Sequence, residues 1–181
     1  MLEITVPNQE LFNEETSEFI YIKEQTLRLE HSLVSVSKWE SKWLKPFLSK
    51  EEKTPEETID YIRCMTITQN VDPMVYYAIT NENINKVSKY IDSPMTATWF
   101  SKVQDRPGAS REVVTSELIY YWMIALNIPM ECQKWHLNRL LTLIKICNIK
   151  NQDPKKMSKK AIMSSNKSLN AARRAKYNSK G

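Results

Sequence analysis

The chain has 181 residues, 41% of them hydrophobic and five of them Trp, which is enough for one domain with a packed core. Only two are glycine, Gly108 in a polar stretch and Gly181. That is too few for phosphate-cradling loops or dinucleotide fingerprints, which need backbone at positive φ lying close to the ligand. The net charge of +5 is uneven: residues 150–181 carry ten Lys/Arg and one Asp, whereas 1–149 carry 16 basic and 20 acidic groups, so a mildly acidic body bears a strongly basic tail.

The first thirty residues read as sheet. Leu2, Ile4 and Val6 alternate with polar neighbours, 19–22 (FIYI) is β-branched and aromatic, and Leu27 and Leu29 alternate with Arg28 and Glu30. A hairpin turn over 13–16 joins 10–12 to the strand at Phe19, and an antiparallel sheet of about three strands is expected. So small a sheet needs helices against one face.

Helices follow His31. Leu33, Val36, Trp39, Trp43 and Phe47 form one apolar stripe, and Pro46 places the helix end by about Leu48. Thr54, Pro55 and Glu57 give the strongest start signal in the chain: a capping threonine, a proline suited to the first turn and a glutamate that closes a capping box. That helix is expected to bury Ile59, Ile62 and Met65, with Cys64 at its margin. Asp72-Pro73 opens a short helix through Ile79. Thr80 or Asn81 opens another, with Ile84, Val87, Tyr90 and Ile91 inward, and Pro94 stops it. Residues 95–100 (MTATWF) are β-prone, suiting a strand or an extended cover, and 101–110 form a loop.

Residues 111–149 predict the centre of the fold. The run 118–126 (LIYYWMIAL) is apolar on every side, as in a helix buried all round, yet is far shorter than the roughly 20 residues of a membrane span. Pro129 restricts Ile128 to extended geometry and ends the helix near Asn127. Glu131, Lys134, Asn138, Thr142 and Lys145 then draw one narrow polar stripe on a second apolar helix. The expectation is an αα-hairpin, nearly all buried, linked at 127–130. From Lys150 the periodicity fades. The expected organisation is a compact body over 1–149, sheet over 1–30 and helical over 31–149, followed by a basic tail at 150–181 that is mobile in isolation. Within it Asn166 to Tyr177 favour a helix against a partner. The fold class is mainly α (α+β).

Candidates for chemistry are few. Cys132 and His136, four apart, could share a helical face and touch a metal, but a structural zinc site takes four protein ligands and a catalytic one usually three. The remaining donors are His31, Cys64 and Cys147, so buried packing is expected and no metal or cofactor. Ser32 adjoins His31, but sequence neighbours do not make a nucleophile and base. Glu56 and Glu57 belong to a helix start, where negative charge suits the dipole. No catalytic residue is assigned. The odd cysteine count fits free thiols in a reducing cytosol, and 1–15 lack the apolar core of a signal peptide. The aromatic residues fall at helical spacing, as core residues do. The clearest functional signal is the tail, and its candidate partner-binding residues are Lys155, Lys156, Lys159, Lys160, Lys167, Arg173, Arg174 and Lys176. Such charge suits an acidic protein surface, nucleic acid through phosphate neutralisation, or solubility alone.

Three stretches carry a resemblance: 28–49 (RLEHSLVSVSKWESKWLKPFLS), 58–73 (TIDYIRCMTITQNVDP) and 117–151 (ELIYYWMIALNIPMECQKWHLNRLLTLIKICNIKN). Together with NAARRAKYNSKG at the end, they resemble small proteins encoded among the tail genes of long-tailed bacteriophages, often labelled tail assembly chaperones. The likeness runs through the whole chain and brings no catalytic motif. It implies a non-enzymatic helper in the cytoplasm of the bacterial host that keeps the tape measure protein soluble, recruits tail tube subunits, and leaves before the virion is finished. The competing expectations are a nucleic-acid-binding or regulatory phage protein acting through the basic tail, and a structural subunit of the virion.

Overall fold

The computed structural model describes residues 1–13, 18–98, 100, 113–151 and 159–177, with backbone alone at 13, 18, 159–162, 165, 171–172 and 175–176. They form two compact units, Met1–Cys147 and Asn148–Gly181. The fold is α+β and mainly helical.

The strands form two two-stranded antiparallel sheets that follow one another as the two arms of a ribbon. β1 (Leu2–Val6) pairs antiparallel with β4 (Gln25–Leu29), and β2 (Gln9–Asn13) with β3 (Glu18–Ile22). Val6 faces Gln25 and Gln9 faces Ile22, so the register passes unbroken through the gap at Pro7 and Asn8, where proline offers no ladder N–H. The sheet of about three strands expected from alternation is therefore four short strands in two arms; of the turn expected over 13–16, Asn13 belongs to β2 and the rest lies outside the described residues. Ile4, Val6, Leu27 and Leu29 are buried while Glu3, Thr5, Thr26 and Arg28 point out. Both edges are occupied: Asn83 Nδ2 donates to the Thr5 carbonyl at 3.0 Å, and the Ile67 amide to the Arg28 carbonyl at 2.8 Å.

α1 (Leu33–Trp43) starts at Ser32, whose Oγ accepts the Ser35 amide while Ser35 Oγ accepts the Ser32 amide. It stops at Leu44, which takes φ 53°, four residues short of the expected end. α2 (Pro55–Met65) carries the predicted capping box of Thr54 and Glu57. It buries Tyr61, Ile62 and Met65, whereas Ile59 is only half-buried. Pro73–Ala78 is a 3-10 segment capped by Asp72, and α3 (Asn81–Ile91) is capped by Thr80. Residues 95–98 form no strand. Asn138 Nδ2 holds the approach to them through the carbonyls of Ile91 and Ser93, and Lys145 Nζ lies 4.3 Å from the Phe100 ring centroid, so the segment covers α5. The loop expected at 101–110 lies outside the described residues.

The 111–149 stretch departs most from expectation. α4 (Ser116–Ala125) fully buries Ile119 and Met123, but Tyr121 and Ile124 are exposed and Trp122 is partly so. An apolar run does not by itself bring a neighbour to each side, and α4 packs one face on α1. Its stop is a Schellman turn. Asn127 takes φ 51°, its amide reaches the Ile124 carbonyl, and the Ile128 amide reaches the Met123 carbonyl at 2.8 Å. The second arm is broken as well. Met130–Lys134 is a 3-10 segment and α5 (Leu137–Asn151) begins only after His136, so Glu131 and Lys134 do not share a helix with Asn138, Thr142 and Lys145. The centre of the core is the packing of α1, α2, β1 and β4 with Met123 and Leu140, not a hairpin of 111–149 alone.

In the second unit, α6 (Lys159–Tyr177) is a 19-residue helix that begins seven residues ahead of the expected Asn166. Alanine at 161, 171, 172 and 175, with no proline or glycine in the span, favours it.

Candidate functional site

A groove of about 560 Å³ opens where the end of α1, one face of α2 and the Pro73–Ala78 segment meet. The capping box at Thr54 fixes where α2 starts, which puts Glu56, Ile59, Asp60 and Arg63 at helical spacing on one face. From α1 comes Trp43. Its ring stacks on the buried Trp39 at 6.2 Å and its Nε1 donates to Asp60 Oδ2 at 2.9 Å. Lys42 pairs with the other Asp60 oxygen. The adjacent tyrosines of the 3-10 segment divide: Tyr76 is buried beneath the Arg63 guanidinium, 5.2 Å from its ring centroid, and Tyr77 stands 72% exposed. The result is an aromatic and aliphatic floor with charged residues at its rim, of which Lys42 and Asp60 are paired, the composition of a surface that takes an apolar segment of another chain.

The second candidate lies in the interior. His31 is fully buried, its Nδ1 shares a hydrogen bond with the Tyr61 hydroxyl, and its ring meets that of His136 edge to face at 5.1 Å. Burial, with the neighbouring His136 second, lowers the His31 pKa to about 3. Burial lowers that of His136 also. His136 Nδ1 accepts the Asn138 amide, so its Nε2 carries the proton and donates to the Tyr90 carbonyl at 3.0 Å. Burial drives the Tyr61 hydroxyl well above its ordinary range. Each of these groups is committed to a partner inside the fold, and Ser32 spends its hydroxyl as the cap of α1. The cluster holds the entries of α1 and α5 together: Ser32 bridges His136, and the Leu137 amide donates to the His31 carbonyl at 2.7 Å.

Cys132 and His136, expected on one helical face, are separated by the break between the 3-10 segment and α5. Among the described residues no three His, Cys, Asp or Glu side chains converge as a metal set would require. No helix among them is long and apolar enough to cross a membrane.

Of the tail residues singled out from sequence, Lys167, Arg173 and Arg174 project from α6 and are exposed. Lys159, Lys160 and Lys176 belong to the same helix, with their side chains outside the description, and Lys155 and Lys156 lie outside the described residues. α6 carries six Lys/Arg and no Asp or Glu. Sequence reading missed the groove. Trp43 reads as core from its spacing, and the Tyr76-Tyr77 pair gave no periodic signal. The available clue was the proline-led start at Asp72-Pro73, which turns two adjacent tyrosines to opposite sides.

No protein-family model, curated protein or solved structure matches this chain.

Proposed function

We propose that the protein is a non-enzymatic assembly chaperone of a long-tailed phage. It binds the tape measure and tail tube proteins during tail morphogenesis in the cytoplasm of the bacterial host. The observation that carries this reading is the Trp43–Tyr77 groove, a largely apolar surface with the Lys42–Asp60 pair at its rim, built on α1 and α2. A long, apolar, aggregation-prone client needs such a surface to cover its exposed side chains. The exposed cations of α6 supply the long-range attraction that speeds encounter, while discrimination comes from the shaped groove. The whole-chain resemblance to tail-module proteins points to the same role.

The test is co-expression with the neighbouring tape measure protein, comparing the full chain with a truncation after Asn151. Soluble complex with the full chain, and less of it without α6, supports the proposal. The six cations of α6, unopposed by any acid on that helix, favour nucleic-acid binding as the second reading. If the tape measure protein stays insoluble while the purified chain shifts DNA or RNA with a steep salt slope, that reading replaces the first. Recovery of the chain in purified particles would instead make it a virion subunit.

A further inference from the structure

The ribbon changes its buried side halfway along. In β1 and β4 the buried residues are Ile4, Val6, Leu27 and Leu29. In β2 and β3 the parity reverses: Ile22 is buried, with Leu11 and Ile20 half-buried beside it. The alternate residues of that outer half are left bare, and three of them are aromatic. Phe12 is 54% exposed, Phe19 73% and Tyr21 57%. Phe12 and Phe19 are direct cross-strand partners with ring centroids 5.1 Å apart, and Tyr21 lies on the same face opposite Glu10. Large aromatic side chains gathered on one face of a ribbon mark an interaction surface far better than singly scattered ones do.

Glu10 stands on this face, and the charge of the sequence around it indicates what covers it. Residues 9–24 carry five Glu and one Lys. Two such hairpins would repel face to face, as would a hairpin and a nucleic acid. The complementary partner is basic and carries exposed apolar side chains. α6 has six Lys/Arg and no acid, with Met163 and Leu169 exposed among them. We propose that the aromatic face of Phe12, Phe19 and Tyr21 binds the basic helix α6 of a second copy of this chain. The rings supply apolar area and faces on which lysine and arginine settle, and the glutamates attract and orient the helix. Each copy offers one acceptor and one donor, so the contact is heterologous and association passes beyond the dimer unless a ring closes. The inference stands apart from the function proposed above and can fail without it.

The experiment measures the mass of the full chain against concentration by light scattering, in low salt and in about 0.5 M salt, where the Debye length shrinks to a few ångströms. The mass is expected to rise beyond the dimer in low salt and to fall in high salt. Phe12→Ser with Phe19→Ser, both at exposed positions, should weaken association about tenfold or more, as loss of aromatic anchors does. Two charge reversals give the sharper readout: Glu10→Lys with Glu24→Lys on one chain, and Lys167→Glu, Arg173→Glu and Arg174→Glu on another. Each reversed chain alone should stay monomeric, and an equimolar mixture of the two should associate. A wild-type chain that is monomeric at every concentration overturns the proposal. So does association that ignores these substitutions, or a salt-dependent compaction independent of concentration, which would put the helix on its own hairpin.

Discussion

The imidazoles of His31 and His136 meet edge to face, 5.1 Å between centroids, where the chain entering α1 bridges the chain entering α5. Neither ring can take a proton without loss: His31 is buried, and His136 would turn an Nδ1 proton toward the Asn138 amide. An unfolded histidine protonates near its ordinary value of about 6.5, whereas folded His31 does so at about 3. Between those values the unfolded chain binds more protons. Stability is therefore complete above about pH 6.5 and falls as the pH drops, by roughly 1.4 kcal/mol per unit for one such ring, and His136 acts in the same direction. Denaturation midpoints between about pH 7.5 and 5 check this, above the range where Glu57 and Glu82, both lowered by their lysine partners, begin to contribute. The slope should shrink in His31→Gln, and a flat wild-type profile would contradict the neutral pair.

The Glu40 carboxylate joins two segments that sequence reading treated separately. Its oxygens accept the Phe47 amide at 2.8 Å and the Ser116 amide, at the first turn of α4, at 2.7 Å. Glu40→Ala leaves two buried donors without an acceptor and should cost about 2–6 kcal/mol, at about 1–3 for each unsatisfied group. Glu40→Gln keeps one acceptor oxygen and should cost less. Urea denaturation separates the two, and equal small losses would mean that water replaces the carboxylate.

α4 gives a contrast within one helix. Met123→Ala, and Leu140→Ala in α5, should each cost about 2–5 kcal/mol, because both side chains are fully buried. Tyr121→Ser and Ile124→Ser, on the exposed face, should stay within about 0.5 kcal/mol. Comparable losses on both faces would restore the picture of a helix buried all round.

Local chemistry was legible in the sequence where one short pattern decides the outcome. Thr54, Pro55 and Glu57 fixed the start of α2, Asp72-Pro73 and Thr80 fixed the next two, and strict alternation fixed β1 and β4. What failed depends on neighbours. The run 118–126 has no periodicity to say that only Ile119 and Met123 are fully buried, and although the helix ends near Asn127 as expected, the left-handed turn of Asn127 that closes it was not legible. The change of buried side between β1 and β2 is set by what packs beneath the ribbon. The groove joins Trp43, Ile59 and Tyr77 from three segments, so no window of sequence contains it.

Truncation after Asn151 should leave the melting temperature of the body within about 4 °C, the shift that roughly 1 kcal/mol produces in a domain of this size. The residues up to Cys147 form a compact unit of their own. A drop of many degrees, read by calorimetry, would make α6 part of the folding unit.

The groove is tested most directly by the affinity of the purified full chain for a soluble fragment of the tape measure protein, wild type against Tyr77→Ser. Tyr77 is exposed, so its loss should leave the denaturation midpoint unchanged. If the groove holds the client, the wild-type chain binds and the variant binds about tenfold more weakly, the usual cost of removing an aromatic anchor. Equal affinity of the two chains, or no binding by the wild type, would contradict it.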